Sequence, residues 1–269
     1  MMDRQTLGAL LMAGALGAGP CLAADTAPDS PGAYIGVFGG TGTAIASSLR
    51  QRGAVLLPGP LPPLPIDAQG STGSGERVSL GGIQAGYEWG RRSIGSTRWG
   101  LNPATEIEAF HLGEHTPVGE MPVTPRALGT QYVTFPMTAD VLLANAVFTI
   151  HTPFSDTILP YVGAGAGLAR LSVKGSDSAN PSEPGINHFN SDPDASDTAF
   201  AMQFKVGLKA KASRRVRLFA EYRHLSIEAT RYTFGSTDYP GLHLPTRTWD
   251  VGLGRQNYNL FVAGLQYRF

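Results

Sequence analysis

Two neighbouring stretches near the C-terminus restrict the fold more than any other feature of the chain. In 200–212, Met202, Phe204, Val206, Leu208 and Ala210 alternate with Gln203, Lys205, Gly207, Lys209 and Lys211. Ser213-Arg214 then makes a tight polar turn. In 215–228, Val216, Leu218, Ala220 and Tyr222 alternate with Arg217, Phe219, Glu221 and Arg223. Period-two alternation puts successive side chains on opposite faces of a strand. Each stretch exceeds the roughly 9–11 residues that cross a bilayer at a tilt. Lysines turned into the core of a soluble sandwich would be costly. Inside a barrel they can meet acids or water, so the pair reads as a transmembrane hairpin.

The last strand, 259–269, repeats the pattern. Phe261, Ala263, Leu265, Tyr267 and Phe269 share one face, opposite Val262, Gly264, Gln266 and Arg268. An aromatic row ending on a terminal Phe suits a face that meets lipid, with its rings at the interface. Strands also read at 33–43, 78–89, 104–112, 138–150 and 160–173. In 78–89, Ile83, Ala85, Tyr87 and Trp89 oppose Gln84, Gly86 and Glu88; in 104–112, Ile107 and Ala109 oppose Glu106 and Glu108. In 160–173, Val162, Ala164, Ala166 and Leu168 oppose Tyr161, Gly163, Gly165 and Gly167. The run 138–150 is almost continuously apolar, and its facing stays open. These strands number eight, although ten would also fit the length. The expected fold class is all-β: a closed antiparallel transmembrane β-barrel.

The rest of the sequence bounds this reading. The 21 basic and 21 acidic residues cancel, which speaks against nucleic acid as a partner. Charged residues make up 16%, below the usual quarter, and there are 34 glycines. Residues 1–24 read as a signal peptide, with Arg4 before an apolar run and cleavage after Ala23 or Ala24. That cleavage removes Cys21, the single cysteine, and leaves a barrel domain over 25–269. No later stretch has the 18 or so consecutive apolar residues of a membrane-spanning helix.

The connections alternate in length. Segments 44–77, 113–133, 174–197 and 231–256 read as long loops; 90–103, 151–159 and 213–214 read as short turns. Short periplasmic turns and long extracellular loops mark outer-membrane barrels. Segment 44–77 contains a proline-rich stretch, and 174–197, rich in Ser, Asp, Asn and Pro, is expected to be mobile.

Several motifs resemble those of opacity-like and OmpA-like small outer-membrane barrels. Ala33-Tyr34-Ile35-Gly36-Val37-Phe38-Gly39-Gly40 resembles their opening strand. Gly86-Tyr87-Glu88, the run Pro160 to Gly167, Ala220-Glu221-Tyr222-Arg223 and Tyr267-Arg268-Phe269 are similar to their later strands. The resemblance implies an integral outer-membrane location with a structural or surface-interaction role, or a narrow porin-like one. It implies as partners outer-membrane lipid, lipopolysaccharide, the barrel assembly machinery, and host or surface ligands meeting the four long loops. Phe269 and Tyr267 would carry the assembly signal. No peptidoglycan-binding domain is expected after the last strand.

With polar faces inward, the lumen holds Glu88, Glu106, Glu108 and Glu221 with Lys205, Lys209, Lys211, Arg217, Arg223 and Arg268. Eight strands enclose room for little more than side chains. We expect an ion-pair network that plugs the lumen; a gated, anion-favouring pore is the alternative. Three other motifs are weaker. Gly36-Val37-Phe38-Gly39-Gly40-Thr41-Gly42 lacks the βαβ context of a dinucleotide site. His111-Leu112-Gly113-Glu114-His115 matches a zinc-protease string but has Gly113 where a helix is needed, and reads as a surface loop. His224 and Ser226 share an outward face, as in the His-x-Ser of lipid A deacylases, but Ile227 stands where those enzymes have Asn. A deacylase-like hydrolase is the alternative function, with His224 activating Ser226. The leading expectation is no enzyme, no cofactor and no metal.

Overall fold

In the computed structural model, residues 31–269 are described, so the expected leader lies outside the described residues. The described chain forms sixteen strands in two sheets, and its one helical segment is a three-residue 3-10 turn, Arg126–Leu128. Eight long strands build the first sheet: β1 (Gly32–Ala44), β4 (Arg77–Glu88), β6 (Gly100–His115), β9 (Met137–His151), β10 (Ile158–Val173), β12 (Ala195–Lys211), β13 (Val216–Ile227) and β16 (Gln256–Arg268). Each pairs antiparallel with its neighbour, and β1 pairs with both β4 and β16, so the sheet closes. A two-residue strand, β5 (Arg92–Ser93), adds to β6 at the turn end.

The pairing register fixes the barrel's dimensions. Following partners from Leu168 through Leu142, Ala109, Ile83, Val37, Leu265, Leu218 and Ala210 returns to β10 at Ile158, ten residues from the start. For eight strands with this stagger, standard strand spacings give a tilt of about 41° and a backbone radius of about 8 Å. Side chains alone can fill such an interior.

The outer face carries the apolar set. Ile35, Val37, Ile83, Ile107, Leu142, Leu168, Phe204, Leu208, Leu218 and Phe261 are all exposed on it. Tyr87 and Trp89 (ring centroids 4.9 Å apart), Trp99 and Phe154 (6.3 Å), and Tyr267 and Phe269 (5.4 Å) form a girdle of aromatic pairs at the short-turn end. Strand β9 settles its facing by the same alternation: Leu143, Asn145, Val147 and Thr149 are buried inside, while Leu142 and Phe148 point out.

The four long connections are not loops. They contain β2 (Ser48–Val55), β3 (Leu64–Thr72), β7 (Val118–Thr124), β8 (Thr130–Thr134), β11 (Asp177–Ala179), β14 (Thr230–Phe234) and β15 (Trp249–Leu253). These form a second seven-stranded sheet in the order β11-β8-β7-β3-β2-β15-β14. It stands above the membrane barrel as an upper tier whose buried residues, among them Leu49, Met121, Val133, Phe189, Phe234 and Trp249, continue the apolar core of the barrel. The expectation of a mobile 174–197 is corrected likewise. That segment carries β11 and bonds to the fourth connection through Gly235 N to Asp192 O (2.8 Å) and Ser191 N to Ser236 O (3.3 Å). The reason is physical: a strand edge above the membrane must be paired or covered, and neighbouring connections do this for one another. The string from His111 to His115 is also no loop; it is the end of β6, with His111 bonded to Asp140 at 2.8 Å.

Candidate functional site

The interior of the membrane barrel is built in layers. Nearest the short turns, Glu88 accepts from Arg217 at 2.6 Å, with Lys209 and Arg268 each 3.8 Å away. Strands β4, β12, β13 and β16 supply these four groups because their inward positions fall at one level. Lys211 is the exception among the ten expected lumen residues: it is half-buried at the end of β12, level with Arg217. The strand ends there, so its side chain reaches the barrel mouth and five bases, not six, are buried with the four acids.

The middle layer is denser. Lys205 pairs with Glu106 and also with Glu108, the latter at 2.7 Å. Arg223 forks onto Glu108 at 3.0 and 3.2 Å and pairs with Glu221 through its Nε. Tyr34 donates to Glu106 at 2.7 Å, and Tyr161 donates to Glu221. Gln203 donates to Glu108 at 2.5 Å and to Asn145 at 2.7 Å. The Arg223 guanidinium lies 4.3 Å from the Phe38 ring centre, and the Lys209 ammonium 4.9 Å from that of Tyr161. Buried charges are costly unless paired, and each of the nine has an opposite charge within 4 Å.

The glycines of β10 make room for this layer. An ideal Cβ on Gly165 would lie 1.8 Å from Asn145 Oδ1, and one on Gly163 3.0 Å from Lys205 Cε. The Gly-x-Gly run is therefore the socket into which Asn145 and Lys205 fold.

Above the charges the lumen turns apolar, which the sequence reading did not foresee. Phe110, Leu112, Val141, Leu171, Leu225, Ile227, Leu260 and Val262 are all buried on inward positions. The inward faces there are as apolar as the outward ones, so alternation of hydropathy fades. Only the register set by the lower halves of the strands reveals the facing.

His224 and Ser226 lie half-buried on the outer face, each bonded to β16 instead of to the other. His224 Nδ1 meets Asn259 Oδ1 at 3.0 Å, and Ser226 donates to Asn257 at 2.8 Å. Glu228, the nearest acid on that face, pairs with Arg255 at 2.8 Å. Phe269 is exposed beside Tyr267 at the end of the last strand.

A closed eight-stranded antiparallel barrel with an apolar outer band, aromatic girdle and charged interior defines a transmembrane barrel of the outer-membrane class. The chain belongs to the outer membrane protein beta-barrel domain family, whose model matches residues 9–269. The family places it in the outer membrane. Among solved structures it is similar to OprG from Pseudomonas aeruginosa, with 14% identity over 91% of this chain and 99% of that one (TM-score 0.40). It is also similar to Neisserial surface protein A, with 15% identity over 88% and 97% (TM-score 0.36). Ail, the attachment invasion locus protein of Yersinia pestis, matches with 12% identity over 86% and 99% (TM-score 0.27). No curated protein matches the chain.

Sequence reading also missed a polar group in the upper tier, Glu183, His188 and His243. Glu183 and His188 stand five apart, but His243 comes from a different connection, so only the tertiary fold reveals the cluster.

Proposed function

We propose that this barrel is a sealed outer-membrane scaffold whose upper tier is its working surface. The single observation that carries the reading is the filled interior. The ion-paired layers, the apolar layers above them and the core of the upper tier follow one another along the axis. A path for solute would have to break buried ion pairs and then cross a packed apolar section. Both steps are costly. The tier then serves as a rigid platform offered to surface or host ligands, while the lipid-facing band anchors it.

Conductance of the refolded protein in a planar bilayer tests this. A folded, silent barrel is expected. Steady unitary openings, with or without anion preference, would overturn the sealed reading in favour of a narrow channel.

A further inference from the structure

We propose that Glu183, His188 and His243 form a binding site for a divalent transition-metal ion, with zinc the best-fitting occupant. Their ligand atoms all lie within 4.8 Å of one another. Glu183 Oε2 is 3.1 Å from His188 Nε2, and Glu183 Oε1 is 3.4 Å from His243 Nε2. Two ligands of a tetrahedral zinc ion bound at about 2.0–2.2 Å sit about 3.3–3.6 Å apart; each histidine is already at such a distance from one carboxylate oxygen, and binding would draw the whole group in from within 4.8 Å.

The hydrogen bonds behind the histidines give the second argument. His188 Nδ1 lies 2.7 Å from the Ser178 carbonyl, and His243 Nδ1 lies 2.5 Å from the Leu244 carbonyl. A carbonyl oxygen only accepts, so the His243 Nδ1 carries a proton; the His188 Nδ1 carries one when it serves the nearer Ser178 carbonyl and accepts when it serves the Gln131 amide, 3.0 Å away. A neutral ring then turns the lone pair of Nε2 towards Glu183. With both rings neutral and protonated on Nδ1, two Nε2 lone pairs and a carboxylate converge, an arrangement that a cation would complete. Anchoring the far nitrogen on a backbone carbonyl is how metal-binding histidines are commonly oriented. Two histidines and one carboxylate suit zinc and leave a fourth position open. A cavity of about 130 Å³ adjoins the three residues, bordered also by Gln131, Asn180 and Trp249. The Glu183 side chain is 38% exposed, which gives the ion a way in from the medium.

The location supplies a role. Strands β11 and β14 are the two unpaired ends of the upper sheet. Glu183 and His188 follow β11, and His243 lies between β14 and β15. The ion would reinforce the junction of the third and fourth connections, which the bonds from Gly235 N to Asp192 O and from Ser191 N to Ser236 O already tie together.

The test uses the refolded, untagged chain, titrated with zinc chloride by calorimetry and with cobalt(II) by visible absorption. One equivalent of zinc and the absorption of tetrahedral cobalt are expected. His243→Gln and Glu183→Gln, each checked for folding by heat-modifiable gel mobility, should each weaken zinc binding at least about tenfold. Zinc should also slow proteolysis of 174–197 and 231–256 in the parent chain. A parent chain that takes up no stoichiometric zinc overturns the proposal, leaving the cluster as a carboxylate between two protonated imidazoles. Uptake that survives unchanged in both folded variants also overturns it, because the ion would then sit elsewhere, for example at the exposed His111–Asp140 pair.

Discussion

Arg223 on β13 forks onto Glu108 on β6 at 3.0 and 3.2 Å, across the centre of the barrel. The two strands are not neighbours in the wall, so the pair is a strut through the lumen. Glu108 also holds Lys205 at 2.7 Å and accepts from Gln203 at 2.5 Å. Removing its charge leaves buried cations short of a partner. Glu108→Gln is expected to destabilise the barrel by about 3–5 kcal/mol, read as a lowered urea midpoint in lipid vesicles. A midpoint within error of the parent would mean that water, not Glu108, compensates the middle-layer charges.

The socket at Gly165 gives a steric prediction. A methyl group there would collide with the Asn145 amide, which lies among Gln203 and Glu106. Gly165→Ala is expected to cost about 1–3 kcal/mol by overpacking. Pairing it with Asn145→Ala should recover part of that loss in the same unfolding assay. Full additivity of the two changes would show that the collision is not the cause.

The upper tier has its own pH signature. Arg50 holds Asp67 by two hydrogen bonds, at 2.9 and 2.5 Å, with Arg52 at 3.9 Å, and keeps the Asp67 carboxyl below the usual aspartate range. A depressed carboxylate stabilises the fold fully above its unfolded value, near pH 3.9, and loses that contribution as pH falls through the lower folded value. Asp67→Asn should therefore lower tier stability at neutral pH by a small amount, since the pair is partly exposed. The difference from the parent should shrink as pH falls below the unfolded value and vanish below the lower folded one. Protease sensitivity of the tier across pH would read this, and a gap that persists in acid would contradict it.

The lipid-facing His224 and Ser226 bear on the hydrolase alternative. Each is bonded to an asparagine of β16, and residues two apart on a strand lie roughly 6.6 Å apart. Lipid A extracted from overexpressing cells should be unchanged by the parent and by Ser226→Ala alike. Lipid A deacylated by the parent and restored in the variant would establish the enzyme.

Deleting Phe269 is expected to reduce the amount of barrel reaching the outer membrane in cells, while leaving the midpoint of the refolded protein nearly unchanged. The ring is exposed, so little packing is lost. An equal fall in both readouts would assign Phe269 to stability and not to assembly.

The membrane strands were legible because their lower halves separate charge from hydrocarbon residue by residue, as at Lys205, Val206 and Lys209. The acids and bases of the lumen could be named from that alternation, although which acid meets which base depends on the stagger of the wall. The upper tier was not legible for a different reason. Its strands are short, and Pro65 and Pro122 stand inside two of them. The inward set of β3, Ile66 and Ala68, is too brief to stand out from Gly and Pro on either side. The apolar upper lumen defeated pattern reading because Leu112, Leu225 and Leu260 face inward on strands whose other face meets lipid.

The order of strands in the upper sheet limits how the sequence can drift. The β7–β8 hairpin lies between β3 and β11, and β2 lies between β3 and β15, so every connection borders another. An insertion within one of these strands would shift the register of its neighbours on both sides. The exposed tips at 58–63, 125–127 and 240–242 touch no such ladder. Change in this protein's outward face should therefore gather at the tips, while the walls that carry them vary together or not at all.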